Sequence, residues 1–174
     1  MMTRPPPVPE GYATVTPWVV TNDTRRLLAF IKEAFGAEEL GVIEVEGGTI
    51  GHAEARIGDS IIMMFDSPFP VATPSLLRLY VEDGDATFRR AVAAGATPVT
   101  RLTELAWGDR VGRVRDPLGN LWWIQERASA PTQEEMASRF EDPTFAEAMR
   151  YVQSTLSDGL DTADPGRETR DPPG

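Results

Sequence analysis

Cysteine is absent from the 174 residues, and histidine occurs once, at position 52. The lack of cysteine excludes disulfide bonds, thiolate nucleophiles and thiolate metal ligands. No uninterrupted apolar run approaches the ~18 residues that a membrane helix needs, so we expect no membrane contact. The first ten residues are rich in proline and hold no apolar core, which argues against a signal peptide. A cytoplasmic location is therefore the default expectation.

Positively charged residues are also few: the chain has 17 Lys and Arg residues and 27 Asp and Glu residues, which gives a formal net charge of −10. Proteins that bind nucleic acid present a basic face to the phosphates, so this composition argues against that class. The acidic balance is compatible with a cationic ligand and equally with an ordinary cytosolic surface. Apolar residues at 41% and charged residues at 25% are typical of a globular chain.

The chain contains an internal repeat. Residues 52–64 and 113–125 each read as a strand, a turn centred on glycine and a second strand. Gly58 aligns with Gly119, and Asp59 aligns with Asn120, at an offset of 61 positions. Gly-Asp and Gly-Asn between apolar runs predict hairpins, because these residue types tolerate positive φ.

A strand and a helix precede each hairpin. The strands are predicted at 14–21 and 76–82, and the helices at 22–35 and 84–94. Aspartates before each helix are candidate N-caps, while Gly36 and Gly95 lie where a left-handed C-cap belongs. The sequence therefore predicts two βαβββ modules, at about 14–66 and 75–127.

Three further segments flank this domain of residues 14–127. Residues 1–13 form a proline-rich arm. Residues 128–158 are predicted to form a helical extension, because Thr132 with Glu135 resembles a capping box and Asp142-Pro143 resembles a helix start. An apolar stripe in this extension ends before Gly159 and consists of Phe145, Met149, Val152 and Leu156. Residues 159–174 are predicted to be a disordered tail.

The duplicated modules resemble the vicinal oxygen chelate superfamily, the glyoxalase, bleomycin-resistance and dioxygenase proteins. The motifs that carry the resemblance are Val20-Thr-Asn-Asp, Leu79-Tyr-Val-Glu-Asp, Ala94-Gly-Ala and Gly112-Arg-Val-Arg-Asp-Pro-Leu-Gly-Asn-Leu-Trp. His52-Ala-Glu with Trp107-Gly-Asp-Arg is similar to the phosphonate-operon glyoxalase-like branch. The resemblance implies an α+β fold, in which two tandem βαβββ modules form a cup-shaped mixed sheet with helices outside. It also implies a ligand inside the cup and a homodimer.

The same resemblance places the family's metal ligands on side chains that are poor ligands. The corresponding positions are Thr16, Leu76, Trp123 and its repeat equivalent Ile62. A divalent transition metal needs several converging nitrogen or oxygen donors, and one histidine without cysteine does not supply them within one subunit. A carboxylate-rich Mg²⁺ or Ca²⁺ site built on Glu54, Asp109 or Glu126 remains the alternative. We expect no metal and no cofactor.

Alternation along the predicted strands assigns side chains to the cup. In the strand at His52, polar residues alternate with Ala53 and Ala55, and the alanines are expected to face the helices. Aromatic side chains suit stacking on planar rings, so the expected partner is a small aromatic molecule. The expected ligand-binding residues are Thr16, Trp18, His52, Glu54, Met64, Arg78, Tyr80, Trp107, Asp109, Arg113, Trp123 and Gln125.

Three functions stay open on this reasoning. The first is binding of an aromatic or polycyclic molecule, as in antibiotic sequestration, without a covalent step. The second is a metal-independent isomerase, cyclase or lyase that uses His52 and Glu54 as acid and base. The third is a scaffold that assembles through its C-terminal helices.

Two side chains have open structural alternatives. His52 is either a proton shuttle or a structural residue that hydrogen-bonds Arg113 or a backbone carbonyl. Arg78, if it points into an apolar cup, needs a partner, which is either Glu54 or an anionic ligand.

Overall fold

The computed structural model describes residues 6–69 and 73–161, and for residues 157–161 it describes the backbone alone. The elements of the first module are β1 (Trp18–Thr21), α1 (Thr24–Phe35), β2 (Glu38–Glu44), a 3-10 turn (Glu46–Gly48), β3 (Ile50–Ile57) and β4 (Ser60–Asp66). Those of the second are β5 (Leu76–Val81), α2 (Gly84–Ala93), β6 (Thr97–Glu104), β7 (Asp109–Arg115) and β8 (Leu121–Arg127). The helices α3 (Gln133–Glu141) and α4 (Pro143–Asp161) follow.

The predicted α+β fold of two βαβββ modules is confirmed. Each module forms a four-stranded mixed sheet, in the orders β1-β4-β3-β2 and β5-β8-β7-β6. The first strand of each module pairs in parallel with the last, and the other pairings are antiparallel. Strand β1 begins four residues later than predicted, at Trp18. Helix α4 continues to Asp161, past the predicted end at 158, and residues 162–174 of the predicted tail lie outside the described residues.

The helix ends follow the capping residues in the sequence. The carboxylate of Asp23 accepts from the amide of Arg26 at 2.9 Å, and Gly36 ends α1 with a left-handed φ of 68°. The carboxylate of Asp83 accepts from the amide of Ala86 at 2.8 Å before α2. These contacts satisfy amides and carbonyls that a helix end leaves unpaired.

One hydrophobic core joins the two modules. It contains Ala53 and Ala55 of β3, each 0% exposed, together with Trp122 and Ile124 of β8 and the apolar faces of α1 and α2. The ring of Phe35 packs on Trp122 at a centroid distance of 4.8 Å. Because this core covers the sheet faces turned towards α1 and α2, we call these the outer faces and the opposite ones the inner faces.

The strand register corrects one predicted position. Met64 was expected in the cup, but it is 0% exposed within the core, and that prediction is wrong. Met63 lies on the inner face instead, where it pairs with Glu54. The turn glycines of the two modules are 61 positions apart, but equivalent strand residues are not. The loop of the second hairpin is longer than that of the first, so the spacing differs between loops and strands. Met63 and its counterpart Trp123 are 60 positions apart.

Helix α4 lies on the inner face of the second sheet. Its Val152 is 4% exposed and packs in a small cluster with Leu105 and Val111, while Ala148 and Tyr151 pack against the same cluster. The capping box predicted for α3 is present between Thr132 and Glu135. In the part of the chain that is described, no helix is long and apolar enough to cross a membrane.

Candidate ligand-binding site

Three side chains form a hydrogen-bonded chain on the inner face of the first sheet. His52 Nε2 lies 2.8 Å from Glu54 Oε1, and the hydroxyl of Tyr12 donates to Glu54 Oε2. The two β3 residues project to the same side because they are two positions apart in a strand. Trp18 of β1 approaches His52 edge to face, with centroids 6.3 Å apart. The predicted pairing of His52 with Glu54 is therefore present, and Tyr12 extends it.

The electrostatics of this chain favour a charged carboxylate and a neutral phenol. The hydrogen bond from Tyr12, followed by the one from His52, holds the pKa of Glu54 below its ordinary value, although burial acts in the opposite direction. The same contact raises the pKa of Tyr12, because the phenol donates to a carboxylate. The arrangement can present a fixed negative acceptor next to an imidazole.

The N-terminal segment forms one wall of a cavity over this face. The cavity has a volume of about 460 Å³, and among its lining residues are Pro9, Tyr12, Thr16, Glu54 and Met63. Trp18 has 58% of its surface exposed, although the adjacent Val19 is buried. Sequence reasoning missed Tyr12, which lay in the segment read as a proline-rich arm. An aromatic hydroxyl directly after Gly11 was the available signal.

Arg113, a predicted residue of the second module, lies under α4. The guanidinium of Arg113, 4% exposed, donates from Nη1 to Thr100 Oγ1 at 3.1 Å and to the carbonyl of Val152 at 2.6 Å. It also stacks over the ring of Trp123, with Cζ 4.5 Å from the ring centroid. Burial lowers the pKa of Arg113 to about 10, and the nearby positive charge of Arg78 contributes.

A second hydrogen-bonded group lies beside Arg113. Asp109 Oδ2 accepts from Trp107 Nε1 at 3.1 Å and from the amide of Gln125. Asp109 and Gln125 are buried, and Trp107 packs against the cluster that contains Val152 of α4. Of the predicted residues on this face, Asp109, Arg113 and Gln125 are therefore buried in this structure and Trp107 is partly buried.

Two proposed side-chain partnerships are not formed. Glu54 is bound by Tyr12 and His52 of its own module, so it is not the partner of Arg78, which was one of the two alternatives. His52 contacts Glu54 rather than Arg113. The exposed side chain of Arg78 makes no hydrogen bond or ion pair within residues 6–69 and 73–156. An anionic ligand therefore remains the other alternative for its partner. Tyr80, two residues along β5, is 64% exposed.

The predicted site residues thus fall into two groups on separate inner faces. Trp18, His52 and Glu54 come together on the first sheet, with Thr16 beside them. A cleft of about 800 Å³ between the modules was not predicted, and its walls include Phe35, Ile62, Leu77 and Trp122. The predicted site residues Arg78 and Tyr80 also line this cleft.

The positions at which a metal ligand was implied do not fit a divalent ion. The hydroxyl of Thr16 donates to the carbonyl of Ala13 at 3.2 Å, and Ile62 is a core residue at 5% exposure. Trp123 lies beneath Arg113, and Leu76 offers no donor atom. Among the residues whose side chains are described, no three His, Cys, Asp or Glu residues are grouped so that they could hold a metal ion.

Comparison with known proteins assigns the family. The sequence profile of the Glyoxalase/Bleomycin resistance protein/Dioxygenase superfamily matches residues 12–124. The chain belongs to this superfamily. The match ends before α3 and α4, so the helices that cover the second inner face lie outside the region shared with the superfamily.

Relatives within the superfamily include proteins without an assigned function. An uncharacterised protein from Mycobacterium bovis is 38% identical over 120 residues, which are 62% of this chain and 79% of that protein. The crystal structure of TioX from Micromonospora sp. ML1 is similar, with a TM-score of 0.58, 29% identity, and coverage of 66% of this chain and 98% of TioX.

A PhnB protein from Bacillus cereus resembles the chain with a TM-score of 0.54 at 17% identity, covering 66% of this chain and 99% of that one. This likeness shows the fold alone. The phosphonate-operon branch therefore stays a prediction.

Proposed function

We propose that the protein is a metal-independent superfamily member that binds an aromatic or polycyclic small molecule on the inner face of its first module. The observation that carries the proposal is the exposed Trp18 beside the Tyr12–Glu54–His52 chain. An indole that is largely exposed beside this hydrogen-bonded chain offers a flat stacking surface, and the charged Glu54 fixes a polar group of the ligand. Sequestration of an antibiotic is a function of this kind.

Charge favours a ligand with a positive group. Glu54 has its pKa held low, mainly by Tyr12, and therefore keeps its negative charge near neutral pH. The whole chain carries a formal net charge of −10, which attracts cations over longer distances. Arg78 and Tyr80 on the second module are exposed and line the cleft between the modules, so they do not belong to this site.

Binding of proflavine, a planar tricyclic cation, tests this proposal. Isothermal titration calorimetry is expected to give a weaker affinity for Trp18→Ala than for the wild type, by about tenfold or more, because stacking on an aromatic ring contributes about 1–3 kcal/mol. Phe69→Ala is the matched control, since Phe69 is 69% exposed but lies after β4, whereas Trp18 lies on β1 and contacts His52. Equal affinities of the two variants, or no binding of proflavine below about 1 mM, would contradict the proposal.

A second candidate is the metal-independent isomerase, cyclase or lyase. The contact of 2.8 Å between His52 and Glu54 favours it, because an imidazole oriented by a carboxylate is suited to proton transfer. His52→Ala separates the two candidates once a ligand is known. Loss of ligand turnover with retained ligand binding in His52→Ala would indicate the enzyme. If His52→Ala and the wild type do not differ in turnover, binding is left as the function.

We do not propose the scaffold function. The stripe expected to mediate assembly packs within the chain, since Val152 contacts Leu105 and Val111 of the second module. A homodimer and a cytoplasmic location remain our expectations, and multi-angle light scattering of the purified protein tests the former.

A further inference from the structure

A buried cation that has no acidic partner among the described side chains lies between the second sheet and α4. Arg113 is 4% exposed, and its hydrogen bonds go to a hydroxyl, Thr100 Oγ1, and to a backbone carbonyl, that of Val152. The charged group that acts on it is Arg78, which has the same sign. A buried guanidinium is usually paired with a carboxylate or a phosphate, because neutral acceptors compensate only part of its lost hydration.

Polar atoms next to this cation lack partners among the described residues. Two such atoms are buried: Arg113 Nε donates no hydrogen bond to a described residue, and Gln125 Oε1 accepts none from one. Buried polar groups are satisfied in the great majority of native sites, and unsatisfied ones call for an explanation. Arg113 and Gln125 lie on the same face of the second sheet, since Arg113 pairs with Trp123 and Gln125 pairs with Val111 two residues along. The rings of Trp107 and Trp123 pack at this face.

Helix α4 covers this surface through a small apolar contact and through polar contacts of Arg101 with Tyr151 and of Thr100 with Thr155. Val152 is the buried apolar residue of the helix in the contact cluster, while Ala148 and Tyr151 are partly exposed. The carbonyl oxygen of Val152 approaches Arg113 Nη1 at 2.6 Å, which is where an anionic oxygen would be expected to bind. The helix also lies outside residues 12–124, the region shared with the superfamily.

We propose that the inner face of the second module is a latent site for an aromatic anion, and that α4 is a built-in occupant which the ligand displaces. A carboxylate or sulfonate of the ligand replaces the Val152 carbonyl on Arg113 and reaches the unpaired Nε. The ring system takes the place of the Val152 side chain against Trp107 and Trp123. This extends the proposed function to the second module, on different residues and for a ligand of opposite charge.

A reversible lock on α4 tests the proposal in the full chain. Thr100 Oγ1 and Thr155 Oγ1 are 2.8 Å apart, so Thr100→Cys with Thr155→Cys places two sulfurs within bonding reach. The chain has no other cysteine, so no other disulfide can form within one chain, and non-reducing electrophoresis separates disulfide-linked dimers. The probe is 8-anilinonaphthalene-1-sulfonate, an aromatic sulfonate that becomes fluorescent when bound. The reduced form is expected to bind it about tenfold or more tightly than the oxidised form, because only the reduced form releases the helix.

A second variant opens the site by repulsion. Val152→Lys places a positive charge against Arg113 and is expected to raise the affinity for the probe by about tenfold or more. Gln153→Lys adds the same charge to the exposed side of α4 and is expected to leave it unchanged. The neutral analogue N-phenyl-1-naphthylamine is expected to gain less from Val152→Lys than the sulfonate does. Adding Arg113→Met to Val152→Lys is expected to remove the gain.

The proposal is overturned if neither reduction nor Val152→Lys raises the affinity for the sulfonate. It is equally overturned if the gain survives Arg113→Met or is as large for the neutral analogue. These outcomes are independent of the proflavine experiment, which reports on Trp18 and the first module. A failure of one proposal can therefore be distinguished from a failure of the other.

Discussion

Glu54 and Arg113 occupy equivalent positions in the two sheets and carry opposite charges. Glu54 pairs across its sheet with Met63, which pairs with Trp18, and Arg113 pairs in the same way with Trp123 and Arg78. Each of the two charged groups is contacted by a segment outside its sheet, Tyr12 at the N-terminal side and Val152 at the C-terminal side. The duplicated fold therefore presents two inner faces of different chemistry.

Tyr12→Phe is expected to raise the pKa of Glu54. The hydroxyl of Tyr12 is the largest contributor to the lowered pKa of that carboxyl, and its removal leaves only the contact with His52. Tyr80→Phe is the control, because Tyr80 lies on the other module and is 64% exposed. Carbon-detected NMR titration of the glutamate side chains measures the shift. An unchanged Glu54 titration in Tyr12→Phe would show that the hydrogen bond is not formed in solution.

The stabilising effect of the Glu54 charge is expected to disappear in acid. Its pKa is lower in the folded chain than its ordinary value of 4.5, mainly because of Tyr12, so the folded state binds the proton less readily than the unfolded state. The resulting stability is present above that ordinary value and is lost as the pH falls through the lowered one. Thermal unfolding should therefore show the wild type more stable than Glu54→Gln at pH 7, with the difference shrinking below pH ~4.5. A difference that is constant from neutral pH to pH ~3 would contradict this account.

Arg113→Met is expected to stabilise the free protein by about 1 kcal/mol, because it removes a buried charge that no carboxylate within residues 6–69 and 73–156 compensates. Both acceptors keep another partner, since Thr100 Oγ1 contacts Thr155 Oγ1 at 2.8 Å and the Val152 carbonyl lies inside a helix. Arg139→Met removes a surface ion pair with Glu104 and should change stability by less than about 0.5 kcal/mol. Chemical denaturation measures both variants. A loss of more than about 1 kcal/mol in Arg113→Met would show that the guanidinium stabilises the fold.

Gly108→Ala is expected to destabilise the protein by more than about 3 kcal/mol. Its φ is +91°, and a Cβ atom there would lie 2.5 Å from Ser129 Oγ and 2.6 Å from the Ser129 carbonyl oxygen. Gly36→Ala is the control, because Gly36 also has a positive φ of 68° but nothing within 4 Å of the added atom. That control should cost about 1 kcal/mol, the conformational cost alone. Equal losses in urea denaturation would show that the contact with Ser129 is unimportant.

The sequence predicted the fold where polarity and spacing agreed. Strand β3 alternates cleanly between polar and alanine residues, so Ala53 and Ala55 were assigned to the core and Glu54 to the inner face, as the structure has them. The adjacent Met63 and Met64 are both apolar, and polarity alone does not distinguish their faces. The length of the hairpin loops decides which residues of the two modules are equivalent. The alignment on the turn glycines was therefore wrong by one residue in the last strand of each module.

The rest of the candidate site depends on contacts between distant segments. Tyr12 reaches Glu54 across 42 positions in the chain, and no local pattern encodes that contact. The apolar stripe of α4 indicated that one face of the helix is buried, but a stripe does not specify its partner. The covered state of Arg113 therefore became visible only in three dimensions.

The parallel pairings of the two modules have a kinetic consequence. Trp18 pairs with Met63 and Arg78 pairs with Trp123, in each case across 45 positions of the chain. Loop-closure entropy depends on the length of chain enclosed, so the two closures carry the same entropic cost. Neither half has a topological advantage in folding first, and side-chain packing around Ala53 or Trp122 decides which one nucleates.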